Sequence, residues 1–184
     1  VYMQPIRQLM RGLMQLASAQ RYIFAPHDLR SLVSELSDSA FRTLLSRAVS
    51  QGYLSRPCRG IYLYEPALQN DGLILYRIAA RLRVNDFNYI SLETALSDTG
   101  VISQIPLGRI MVMSSGRSNI ISCGRFGEIE FIHTSRTATE LARQLHYDSR
   151  CGMWRASTEL ALRDMTVTHR STALINKEFV NESI

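Results

Sequence analysis

Lysine is almost absent from this chain, where Lys177 stands alone among 21 basic residues. Its positive chemistry therefore rests on arginine, whose planar guanidinium makes the bidentate contacts to guanine and phosphate that an ammonium cannot. Cysteine is scarce as well. Cys58, Cys123 and Cys151 are widely spaced and form no CxxC pair, which argues against both a disulfide framework and a zinc ribbon and favours a reducing cytoplasm. No apolar run approaches the ~18 residues of a membrane span, and the opening VYMQPIRQLMRG is not a basic segment followed by an apolar signal core. No membrane partner is expected. His27, His133, His146 and His169 lack the HxxxH spacing that sets two ligands on one helical face, so no metal is expected. Neither a repeat nor a low-complexity tract occurs, and no pattern in the sequence calls for a cofactor.

What is present is unevenly distributed. Residues 1–66 carry eight arginines against four acids, a net +4, whereas residues 67–184 carry 13 basic residues against 12 acids, a net +1. The chain is 46% hydrophobic, enough for one ordinary core or two small ones. The polar connector Pro66–Asp71 falls at the charge step. Residues 1–66 and 71–184 therefore read as separate domains.

The stretch DSAFRTLLSRAVSQGYLSRPCRGIYLYE, residues 38–65, organises the first domain. At 3.6 residues per turn, Phe41, Leu44, Leu45, Ala48 and Val49 share one helical side. Ser39, Arg42, Thr43, Ser46 and Ser50 share the other, with Arg47 at its margin. Asp38 or Ser39 can cap this helix and Gly52 can end it. Tyr53–Arg56 and Ile61–Tyr64 then read as strands joined across Pro57-Cys58-Arg59-Gly60. Upstream, Ile6, Leu9, Met10, Leu13, Leu16 and Ala17 define a first helix after Pro5. Leu29, Leu32, Val33 and Leu36 define a second after Pro26. Three helices with a short junction before the third, then an Arg-tipped hairpin, is the order of a winged helix-turn-helix. Arg42, Thr43, Ser46 and Arg47 are then expected in the major groove of double-stranded DNA, with Arg56 and Arg59 on phosphates. A surface helix that happens to carry two arginines is the competing reading.

The second domain reads as mixed α/β, giving an α+β chain overall. Leu73–Leu82 suggests a helix, and a shorter one capped by Ser91 runs through Leu92, Ala95 and Leu96 to stop at Gly100. Arg109–Met113, Asn119–Ser122 and Glu128–His133 read as strands of a small antiparallel sheet. From Thr139 onward, leucines at 141, 145, 160 and 162 with Trp154 and Met165, then Leu174, Ile175 and Phe179, suggest two or three closing helices. Ser114–Ser118 (SSGRS) has the composition of an anion-binding nest but lacks P-loop spacing, and a turn explains it better. His146-Tyr147-Asp148 with Cys151 could form an acid/base or thiol cluster, although a structural role beside a buried thiol is the plainer reading. Trp154 with Arg155, Ser157 and Thr158 could form a partner-facing surface, but Trp154 is expected to anchor the core instead. No catalytic residues are assigned.

The winged-helix string together with NYISLETALSDTGVISQIP and RFGEIEFIHT resembles the AbiEi family of antitoxins, over roughly residues 29–173. Tyr89, Ser91, Ala95, Leu96, Gly100 and Pro106 carry the match, and Leu92 stands where the family commonly has glycine. That resemblance implies a type IV antitoxin, not an enzyme. Its winged helix would bind inverted repeats in its own operator and repress transcription, while its C-terminal domain counteracts a cognate nucleotidyltransferase toxin without stable contact. Two alternatives remain open: a winged-helix regulator whose second domain senses a small molecule, and an enzyme with a site in that domain that the sequence does not reveal.

Overall fold

The structure, a computed structural model, describes residues 3–98 and 108–170. Seven α-helices and two sheets among these residues make the chain a mixed α+β protein. The chain divides into two compact units, Val1–Gly72 and Leu73–Ile184.

In the first unit, α1 (Pro5–Leu16) opens with proline at its first turn, where the missing N–H costs nothing. Leu9 and Leu13 are fully buried, while Arg7, Arg11 and Met14 line its open side. A two-residue strand, β1 (Ile23–Phe24), leads to α2 (Pro26–Arg30), whose start is held by the Asp28 carboxylate accepting from the Ala25 N–H at 2.7 Å. The expected run of helix to Leu36 does not occur, because the chain tightens into a 3-10 turn at Ser31–Val33. Arg30 donates to the freed carbonyls of Val33 and Leu36, satisfying groups that a longer helix would have bonded itself.

Helix α3 (Asp38–Ser50) is capped by Ser37, whose Oγ accepts from the Ala40 N–H at 3.3 Å. The cap therefore lies one residue before the two positions the sequence suggested. Past its end, the N–H groups of Tyr53 and Leu54 still turn back to the Ala48 carbonyl at 2.9 and 3.2 Å. That closure delays the first hairpin strand to β2 (Ser55–Cys58), which pairs with β3 (Ile61–Leu63). Pro57 is tolerated because β2 is an edge strand. Gly60, at the tip with Arg59, has φ +84°, a conformation that L side chains rarely adopt. Strand β1 pairs with the other edge of β3, completing a three-stranded sheet of order β1-β3-β2. The core joins Leu9, Leu13, Phe24, Leu29, Val33, Phe41, Leu45 and Leu54.

The second unit begins with α4 (Ile74–Leu82), β4 (Asn88–Ile90) and α5 (Leu92–Asp98). Strands β5 (Arg109–Ser114), β6 (Asn119–Ser122) and β7 (Glu128–His133) follow. Then come the short helix α6 (Ala138–Leu141), strands β8 (Leu145–Asp148) and β9 (Met153–Ala156), and α7 (Thr158–Val167). These strands form one sheet of order β6-β7-β5-β4-β9-β8. It is not the small antiparallel sheet expected: β7 lies between β5 and β6, parallel to β5 and antiparallel to β6, and β4 runs parallel to β9. Alternating apolar residues identify a strand but not the direction of its partner. At the start of the β5–β7 pair, the Gly108 carbonyl would lie 2.1 Å from a Cβ at residue 127, so only glycine permits the Glu128 N–H to reach it at 2.7 Å.

The second correction is the hairpin β8–β9, which occupies sequence expected to be helical. Leu141 and Leu145 have helical spacing, but α6 stops at Leu141 and the Asp148–Gly152 segment makes a turn, with the Gly152 N–H bonded to the Asp148 carbonyl at 2.9 Å. Gly100, Pro106 and the expected segment with Leu174, Ile175 and Phe179 lie outside the described residues.

Candidate nucleic-acid interface

Phe41, Leu44, Leu45 and Ala48 are at most 6% exposed, so α3 is fixed to its core by one side. Each large apolar side chain buried this way contributes about 1.5–3 kcal/mol. The opposite side presents Arg42, Thr43, Ser46 and Arg47, all exposed. Arg42 Nε donates to the Asp38 carbonyl at 3.3 Å, which steadies the side chain and leaves its two terminal nitrogens for a partner. The Thr43 hydroxyl donates to the Ser39 carbonyl at 3.0 Å, so its polar atom is turned onto the helix. Asp38, the acid nearest this surface in sequence, is paired with Arg30 at 3.5 Å.

On the hairpin, Arg56 and Arg59 are both exposed. The Arg56 guanidinium lies 5.6 Å from the centre of the Tyr62 ring, a cation–π arrangement that restrains it without neutralising it. Among the described residues none of Arg42, Arg47, Arg56 and Arg59 forms an ion pair. All six residues singled out from the sequence thus lie in one unit and are solvent-facing. Arg7 and Arg11, on the open side of α1, add positive charge that the sequence reading passed over. Their spacing of four, out of phase with Leu9 and Leu13, was the available signal. Equally unforeseen is a groove of about 610 Å³ between the start of α1 and α3, lined by Pro5, Ile6, Ala40, Thr43 and Arg47 among others.

Polar groups of the second unit are mostly spent internally. Asp164 on α7 is 1% exposed and accepts hydrogen bonds from Tyr89 Oη at 3.0 Å, Ser91 Oγ at 2.7 Å and Arg136 Nη1 at 2.8 Å. Burial, then the Asp164 charge, pushes the Tyr89 hydroxyl well above its ordinary value and keeps it a donor. Tyr76 is likewise raised, to about 12, chiefly by burial. Hydrogen bonds from Arg150, joined by Arg155, hold the Asp148 carboxyl well below the usual carboxylate range. Arg155 is itself buried and pairs with Asp98 as well as with Asp148.

These pairings leave little for the chemistry considered at His146-Tyr147-Asp148: Asp148 stays ionised, and burial raises the Cys151 thiol and opposes its ionisation. Nor is Ser114–Ser118 a free nest. Ser114 Oγ accepts from Arg83 and from the Gly116 N–H, both at 3.1 Å, and Ser118 Oγ accepts from the His133 N–H at 2.8 Å. Trp154 does not anchor the core. It is 43% exposed, its ring edge-on to that of Tyr147 at 5.2 Å. No cluster of three or more metal-binding side chains occurs among the described residues. Tyr89, Ser91, Ala95 and Leu96 are buried, and Leu92 holds a left-handed φ of +56° while fully buried. A glycine would adopt that backbone without strain.

No family model and no curated protein matches the chain. Among solved structures, the fold is similar to that of the Rv2827c protein from Mycobacterium tuberculosis, with a TM-score of 0.60 and 15% sequence identity over 88% of this chain. The match spans 59% of the length of that protein. At this identity the likeness concerns the fold.

Proposed function

We propose that this chain is a DNA-binding antitoxin whose first unit represses its own operon and whose second unit counteracts a cognate nucleotidyltransferase toxin. The observation that carries the DNA half is the open face of α3, with Arg42, Thr43, Ser46 and Arg47 on a helix rigidly seated by Phe41, Leu45 and Ala48. The element order supports a winged helix-turn-helix: α1, β1, α2, α3 and then the hairpin β2–β3. On that reading α3 enters the major groove, Arg42 and Arg47 reach base edges, and Arg56 and Arg59 neutralise phosphates. The antitoxin half rests on the resemblance to AbiEi antitoxins carried by Tyr89, Ser91, Ala95 and Leu96. The toxin is then a functional partner without a stable complex.

The test is titration of the full chain against the duplex immediately upstream of its gene and against a shuffled duplex of equal composition. Tighter binding to the upstream duplex, weakened by added salt, supports the reading. Equal affinity for the two duplexes refutes operator recognition.

A further inference from the structure

The arginines of α3 account for charge, but they leave unexplained an alanine in the open. Ala40, in the first turn of α3, is exposed rather than buried with its neighbour Phe41. It lines the groove with Thr43 and Arg47, three and seven residues further on, so all three belong to one stripe of the helix. Pro5 and Ile6 of α1 line the same groove with Leu36 and Leu44, and although Gln4 and Ser39 also border it, the lining beside Arg47 is mainly apolar. Thr43 contributes to that apolar character, because its hydroxyl is committed to the Ser39 carbonyl at 3.0 Å. With its one donor used in this way, Thr43 adds a methyl group to the strip.

An apolar strip among arginines on a helix of this kind has one base-specific counterpart. The major-groove edges of the bases display donors, acceptors and a single apolar group, the 5-methyl of thymine. We infer that Ala40 and Thr43 form a thymine-reading subsite, receiving the 5-methyl group of a thymine next to the base pair contacted by Arg47. The inference rests on the DNA reading proposed above and deepens it. The specificity of α3 is then both hydrogen-bonded and apolar, and its preferred site contains a defined thymine.

The experiment selects binding sites for the full-length protein from a random-sequence duplex pool and then replaces each thymine of the selected duplex, one at a time, by deoxyuridine. This removes the methyl group alone and requires no change in the protein. At one thymine the wild-type affinity is expected to fall about fourfold, the worth of one buried methyl. Thr43→Ser keeps the hydroxyl and lacks the methyl, so it should bind the thymine duplex about as weakly and no longer distinguish uracil from thymine. Ala40→Gly provides a second variant on the same strip. If deoxyuridine at every thymine leaves wild-type affinity unchanged while Arg42→Ala and Arg47→Ala still weaken binding, the thymine subsite is refuted and DNA reading by α3 stands. If uracil weakens wild type and both strip variants equally, a methyl is read by other residues and the assignment fails. If the arginine variants bind the selected duplex as tightly as wild type, the underlying DNA reading fails too.

Discussion

In the first unit Arg42, Arg47, Arg56 and Arg59 stand in solvent without an ion-pair partner among the described residues, whereas in the second Arg109, Arg136, Arg150, Arg155 and Arg170 are each paired with a carboxylate. The same residue type is held in two different ways. An unpaired surface guanidinium costs little stability in water and keeps its charge for a polyanion. A buried one must be neutralised where it sits, as Arg155 is between Asp98 and Asp148. Net charges of +4 for residues 1–66 and +1 for residues 67–184 express this difference at the level of composition. The contrast implies that substituting the four unpaired arginines of the first unit changes binding, whereas substituting the paired arginines of the second changes folding.

The largest expected effect lies at the centre of the second unit. Asp164→Ala leaves Arg136, Tyr89 and Ser91 without their shared acceptor and should destabilise this unit by about 3–5 kcal/mol, read as a lowered urea midpoint. A midpoint close to that of wild type would mean that water enters and replaces the carboxylate. Next come the α3 arginines. Arg42→Ala and Arg47→Ala should each cost about 1–3 kcal/mol of specific DNA affinity through lost bidentate contacts, with an unchanged urea midpoint. Loss of stability instead would erase the distinction between the units.

A smaller effect is expected on the hairpin, where Arg56→Ala with Arg59→Ala should weaken binding to every duplex alike. Each lost phosphate contact should flatten the slope of log affinity against log salt by about 0.9, so an unchanged slope in the double variant contradicts the placement on phosphates. The smallest effect concerns acid. Asp148 has its folded-state pKa lowered by Arg150 and Arg155, so its contribution is complete above the ordinary aspartate range and is lost as pH falls through and below about 4. Asp148→Asn should therefore show a weaker fall of thermal midpoint in that acid window than wild type. Parallel curves would show that other carboxylates govern the acid limb.

Where one local pattern determines an element, it was legible in the sequence. The 3.6-residue spacing of Phe41, Leu44, Leu45 and Ala48 gives both α3 and its open face, and Leu75, Ile78 and Ala79 give α4 in the same way. Elements that depend on distant partners were not legible. Nothing in Glu128–His133 tells that its neighbour Arg109–Ser114 runs parallel to it. The spacing of Leu141 and Leu145 imitates a helix across what becomes the boundary between α6 and β8. Trp154 looks like core by composition, yet its place in β9 leaves it 43% exposed. Within the candidate interface the arginines were readable from helical phase. Ala40 was not, because an exposed alanine becomes informative only when Pro5 and Ile6 are seen across the same groove.

The most direct test of the division between the units uses Arg42→Ala combined with Arg47→Ala in cells. The double variant is expressed from a foreign promoter beside the toxin that the proposed function places next to its gene, with a reporter driven by the chain's own upstream DNA. Reporter output and survival are measured in the same culture, with protein level as control. Loss of repression with full protection from the toxin is the expected result. Retained repression, or loss of protection by a folded and equally abundant variant, would contradict it.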